Sequence, residues 1–82
     1  MNPVREWREN KKLSRGALAL LCGISYPQVQ TTETGLVSRP HRKILETIAI
    51  TDGVEVAERV AQEYQEWRIR QGEQVRTSLI SG

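Results

Sequence analysis

The stretch Arg15-Gly-Ala-Leu-Ala-Leu-Leu-Cys-Gly-Ile-Ser-Tyr-Pro-Gln-Val-Gln-Thr-Thr-Glu-Thr34 decides the fold. In its first half Leu18, Leu21 and Cys22 stand three or four residues apart behind Ser14, whose short hydroxyl side chain suits a helix start. That spacing predicts a helix. Gly23 follows where a helix has to stop through a left-handed residue, a conformation that a Cβ resists. Ser25 with Gln28 three positions later forms a capping-box pattern, and Pro27 is tolerated in a first turn, so the next helix begins at once and ends near Gly35. Two short helices joined through glycine are the arrangement of a helix-turn-helix. Ala19 is small enough for the helices to cross closely, Gly23 allows the turn, and Val29 fills the space between them.

Working outward, Asn2 before Pro3 reads as an N-cap with proline at the first helical position, and Val4, Trp7 and Arg8 continue at helical spacing to about Lys11. Downstream, Pro40 suits the first turn of a helix carrying Ile44, Leu45, Ile48 and Ala49. Asp52 and Glu55 make a further capping pair, opening a longer helix with Val56, Val60, Tyr64 and Trp67 on one stripe. No segment demands a strand, although Val75 to Ile80 is a weak candidate for an edge segment or a partner arm. The expected fold is all-α with five helices. A domain over residues 1–72 would include a C-terminal helix at about 53–71, leaving 73–82 as a frayed, flexible tail. There is no internal repeat and no low-complexity tract.

Composition narrows the function. A chain of 82 residues has room for one domain with a simple core, and 38% apolar with 27% charged residues describes a polar globular chain. The longest apolar run, Ala17 to Cys22, is far short of the roughly 20 residues of a membrane span. No secretory signal is expected, and the single Cys22 excludes an intramolecular disulfide and a cysteine-only metal site, which fits a reducing cytosol. The net charge of +2 hides an asymmetry. Residues 1–43 hold eight Lys/Arg against three Glu, leaving +5, while residues 44–82 hold four Arg against seven acids, leaving −3. The helix-turn-helix lies in the basic half, as nucleic-acid binding would require.

Leu13, Ser14, Leu18, Ala19, Gly23, Ile24, Ser25, Val29, Glu33, Gly35 and Pro40 occur in the order and at the spacing of the Cro and phage-repressor (XRE) helix-turn-helix regulators, which the chain resembles over about residues 4–50. Thr32 departs from the pattern, standing where that family usually has an apolar residue. The resemblance implies a lambda-repressor-like five-helix domain whose third helix enters the major groove of double-stranded DNA. It assigns base contacts to Tyr26, Pro27, Gln28, Gln30 and Thr31. Gln28 or Gln30 suits a two-pronged bond to adenine, and Tyr26, Pro27 and the Thr31 methyl suit thymine methyls. Arg15 and Ser25 fall at phosphate-contacting positions, with Arg39, His41, Arg42 and Lys43 as cations for the backbone or minor groove. Arg8 and Glu33 occupy positions that pair as a buried salt bridge in the family, a structural task.

Tyr64 and Trp67 are expected at a homodimer interface, with packing on the first helix against Trp7 as the plainer alternative. The expected function is sequence-specific binding of a palindromic operator as a homodimer, by a repressor of phage, plasmid or mobile-element type in the bacterial cytoplasm, associated with the nucleoid. The alternative is a helix-turn-helix used for protein contact, such as an antitoxin, an antiactivator or a factor that binds RNA polymerase. One histidine, no paired carboxylates and no phosphate-binding glycine loop give no catalytic constellation, so no enzymatic activity, metal or cofactor is expected.

Overall fold

The computed structural model describes residues 1–81, with side chains to residue 80; Gly82 lies outside the described residues. Among them are five helices and no strand: α1 (Pro3–Asn10), α2 (Arg15–Cys22), α3 (Tyr26–Thr34), α4 (Arg42–Asp52) and α5 (Val54–Ser81). Among the described residues, no helix is long and apolar enough to cross a membrane.

Local chemistry fixes most boundaries. The Asn2 Oδ1 accepts from the backbone N–H of Val4 and Arg5, and Pro3 opens α1 without a lost donor. Asn2 does more than cap: its Nδ2 donates to the carbonyls of Thr32 and Glu33, each at 3.0 Å, tying the start of α1 to the end of α3. Ser14 accepts from Ala17 N–H, and Gly23 closes α2 in the left-handed region at φ 69°. Ser25 and Gln28 form the full capping box at the start of α3.

Two boundaries differ from the sequence reading. Pro40 is buried just before α4, and His41 is the N-cap, its Nδ1 accepting from Lys43 N–H at 3.1 Å. Asp52 does not cap α5: it is the last residue of α4, and Gly53, at φ 102° and ψ 156°, breaks the chain between the two helices. The Asp52 carboxylate instead accepts from Lys11 Nζ and Trp7 Nε1, both at 2.8 Å. Those bonds, Lys11 first and then Trp7, hold its pKa below the ordinary carboxylate value.

The core is a contribution from every helix: Val4 and Trp7 from α1, Leu18, Ala19 and Cys22 from α2, Val29 from α3, Ile44 and Ile48 from α4, and Ala57, Val60 and Tyr64 from α5. The most extensive helix pair is α4 with α5, and α5 also flanks α1. Cys22 is buried as a small apolar residue. Thr32, at the position expected to be apolar, is fully buried without penalty because its hydroxyl donates to the Gln28 carbonyl.

The stripe that packs α5 on the body ends at Trp67. From Arg68 to Ile80 every side chain is exposed, yet the helix continues to Ser81. The segment 75–80, read as a weak strand candidate, is therefore helical, and the C-terminal helix extends ten residues beyond the expected end near 71. Gln71, Glu73, Gln74, Arg76 and Leu79 are all good helix formers, and nothing nearby offers a strand a partner to pair with.

Gly35 is where α3, the following loop and α5 meet. It ends α3 at φ 80°, and a Cβ built on it would lie 2.8 and 2.9 Å from two ring carbons of Trp67. Gly35→Ala is therefore expected to cost more than the roughly 1–2 kcal/mol of a left-handed alanine, because the indole must also move. Gly23→Ala, where the added methyl meets open space, is expected to cost only the conformational part. Thermal or urea unfolding of the two variants checks this, and equal losses would show that the Trp67 contact contributes nothing.

Candidate nucleic-acid interface

Helix α3 divides cleanly. Val29, Thr32 and Glu33 face inward, while Tyr26, Pro27, Gln28, Gln30 and Thr34 are exposed and Thr31 is half-buried. Positions 26, 27, 30, 31 and 34 fall on one side at helical spacing, so four of the five residues expected to touch bases, Tyr26, Pro27, Gln30 and Thr31, share a surface. Gln30 makes no side-chain bond to another described residue, whereas the Thr31 hydroxyl donates to the Gln28 carbonyl at 3.2 Å and leaves its methyl free.

Gln28 is differently placed. Its Oε1 accepts from Ser25 N–H at 2.9 Å and lies 3.2 Å from Ser25 Oγ, so this side chain holds the N-terminus of α3 together. Its Nε2 lies 3.4 Å from His41 Nε2, which brings the starts of α3 and α4 side by side. The cluster of Ser25, Gln28 and His41 thus unites two helix N-termini, with Arg42 and Lys43 exposed in the first turn of α4 and Arg39 exposed in the loop before it. Arg42 is also 3.5 Å from Glu46, a largely exposed pair of little energetic weight.

Arg15 has a partner that the sequence reading did not anticipate. Its Nε donates to Glu33 Oε1 at 3.1 Å, and its side chain remains 30% exposed. Arg8 grips the same carboxylate from the other side, with Nε to Oε2 at 2.6 Å and Nη2 to Oε1 at 3.0 Å, and its Nη1 donates to the Leu13 carbonyl. The expected Arg8–Glu33 bridge is therefore a three-residue cluster around a fully buried carboxylate. The pKa of each arginine is raised, chiefly by its bond to Glu33, with the Tyr26 hydroxyl adding to the effect at Arg15. Arg15 thus sits beside the exposed face of α3 with part of its hydrogen-bonding capacity still open.

Tyr64 and Trp67 are not part of any exposed surface of the expected kind. Tyr64 is completely buried, and its hydroxyl donates to the Val37 carbonyl at 2.8 Å. Trp67, half-buried, packs tilted on Tyr64 with ring centroids 5.7 Å apart and covers Gly35. Both hold the loop after α3 against α5. A dimer interface on Tyr64 is excluded by its burial within the protomer, where it shares the core with Trp7 and, with Trp67, contacts Val37 and Gly35. The signal missed was Gly35 itself: a glycine closing a helix leaves room for a large ring on the next element.

The electrostatics of the helix starts separate one group of helices from the rest. The first turns of α2, α3 and α4 contain no acidic side chain, while those of α1 and α5 contain Glu6 and Glu55. Acidic residues ordinarily favour a helix N-terminus, and cations there are locally unfavourable. Arg15, Arg42 and Lys43 occupy such positions and add to the positive end of the dipole, so this region is chemically suited to an anion. Comparisons with profiles of known protein families, with curated proteins and with solved structures return no match.

Proposed function

We propose that the chain is a DNA-binding regulator of the Cro and phage-repressor type, with a lambda-repressor-like domain that inserts α3 into the major groove and acts as two copies on a palindromic operator. The observation that carries this reading is the set of acid-free helix starts, cation-bearing in α2 and α4, around the exposed face of α3. Phosphates would be held by Arg15, Ser25, Arg39, His41, Arg42 and Lys43, and bases read by Tyr26, Pro27, Gln30 and Thr31. Gln28 joins the base readers only through its Nε2, since its oxygen serves the cap. No catalytic role is assigned, and the site of action would be the nucleoid.

The roles of the two glutamines separate by experiment. Gln30→Ala is expected to lower discrimination at one base pair by about 1–3 kcal/mol with unchanged folding. Gln28→Ala should in addition destabilise the domain by about 0.5–2 kcal/mol through loss of the capping box. Fluorescence anisotropy on specific and scrambled duplexes, beside urea unfolding, reads both effects, and a Gln30 variant that loses affinity equally on both duplexes would remove that residue from base reading.

The function itself is tested by salt titration. Binding to duplex DNA should weaken steeply with ionic strength, and Arg42→Ala should reduce the salt slope by about one unit on every sequence. Binding that ignores salt would favour the second reading, a helix-turn-helix for protein contact such as an antitoxin, an antiactivator or a polymerase-binding factor. The observation in its favour is the exposure of Leu20 and Leu21 on α2 and Ile50 on α4, at 86%, 58% and 87%.

A further inference from the structure

Beyond Trp67 every described side chain of α5 is exposed, and Arg68 Nε donates to the Gly35 carbonyl of the body at 3.0 Å. This half continues a helix already nucleated by its packed first half, but its exposed side chains add no tertiary burial to hold it. Its side chains are nevertheless sorted by face. Ile69, Glu73, Arg76 and Ile80 are spaced four, three and four residues apart and fall within an arc of about 60°, the spacing of a two-helix seam. Gly72, Val75 and Leu79 flank that seam, and Arg70, Gln74 and Thr77 occupy the other side.

The order of residues along the seam identifies its occupant. Read in one direction it is isoleucine, glutamate, arginine, isoleucine. Laid antiparallel against itself, Ile69 meets Ile80 of a second copy, Glu73 meets Arg76, Arg76 meets Glu73 and Ile80 meets Ile69. Two apolar contacts and two opposite-charge contacts are made at once, related by a two-fold axis between Glu73 and Arg76, as an isologous interface requires. A parallel pairing would instead set each charge against its like. Neither charge is engaged within the protomer: the ion pairs of the described residues use Arg5, Arg8, Lys11, Arg15 and Arg42. Gly72 has nothing within 4 Å of an added Cβ, so the helix can be approached closely there. An open groove between the seam and the body, lined by Ser38 and Gln65 with Ile69, Gly72, Glu73 and Arg76, leaves space for the Ile80 end of the second helix.

The geometry points to a second copy of this chain as the partner of the projecting half of α5, paired antiparallel through Ile69, Glu73, Arg76 and Ile80. This deepens the two-copy element of the proposed function. Its test contains no DNA, so failure of self-association and failure of operator reading are observed separately.

The test is sedimentation equilibrium of the full chain and of charge-swapped variants, with circular dichroism to confirm that each is folded. All substitutions lie on exposed positions outside the core. The wild type should dimerise between micromolar and millimolar concentration. Glu73→Arg and Arg76→Glu should each weaken the dimer about tenfold or more, because both charge contacts become repulsive. The double variant should return to near wild-type affinity, and an equimolar mixture of the two single variants should form a heterodimer in preference to either homodimer. A monomeric wild type, single variants as tight as the wild type, or a double variant and mixture that stay dissociated would each overturn the proposal.

Discussion

Replacing Glu33 with alanine is expected to destabilise the domain by about 3–5 kcal/mol, among the largest losses available to a single side chain here. Its carboxylate is fully buried and accepts from Arg8 twice and Arg15 once. Arg8 is 10% exposed and cannot follow its lost partner into water without pulling α1 away from α3. The loss therefore contains the cost of a buried, uncompensated guanidinium as well as that of three charge-assisted bonds. Glu33→Gln keeps the shape and some of the bonds but not the charge, and should lie between the alanine variant and the wild type. Joint replacement, Arg8→Met with Glu33→Leu, should recover most of the stability, because the penalty arises from breaking the pair. Urea unfolding measures all three. A loss below about 1 kcal/mol for Glu33→Ala would mean that water reaches and satisfies the arginine, and that the cluster is not what fastens α1 to α3.

Tyr64→Ala is expected to cost about 3–5 kcal/mol by leaving a cavity between α5 and the loop that follows α3. Tyr64 is completely buried, stacks obliquely on Trp67 and fixes Val37 through its hydroxyl. Tyr64→Phe separates the terms, since it keeps the ring and removes only the bond to the Val37 carbonyl, a loss of about 0.5–1.5 kcal/mol. The same pair of variants has a pH signature. Burial raises the pKa of Tyr64 above 10.0, with Arg68 pulling the other way. A group held in its neutral form contributes fully below the unfolded tyrosine value and loses that contribution as pH rises through the folded one. Stability should therefore fall above about pH 10 in the wild type and fall less in Tyr64→Phe. Because Tyr64 is internal, its removal should affect self-association only through unfolding. A folded Tyr64→Ala protein of wild-type stability would contradict the packing described.

The helix boundaries set by capping chemistry were legible before any coordinates. Asn2, Ser14, Gly23, Ser25 with Gln28, and Gly35 act through contacts within a turn or two, which a sequence displays directly. What depends on distant partners was harder to read. Asp52 has the sequence context of a cap but faces Trp7 of α1 and Lys11 just past its end, more than forty residues away. Tyr64 and Trp67 have the composition of an interface, and only the loop held by Gly35 and Val37 shows that the domain itself covers them. Arg15 and Gln28 illustrate a further difficulty for the candidate site. Each matches a DNA-contacting position, and each also has a structural bond in the free protein, to Glu33 and to Ser25. The exposed residues Pro27, Gln30, Arg39 and Lys43 carry no such double assignment, while Arg42 pairs weakly with Glu46 and the Tyr26 hydroxyl lies against Arg15.

The central claim, that the exposed face of α3 reads DNA sequence, is tested most directly by selecting binding sites from a pool of randomised duplexes with the wild type and with Gln30→Ala in parallel. The wild type should enrich an inverted repeat whose half-sites lie about 34 Å apart or a multiple of it, and Gln30→Ala should relax one position in each half-site while the others persist. No enrichment by the folded wild type, or an identical motif selected by both proteins, would contradict it.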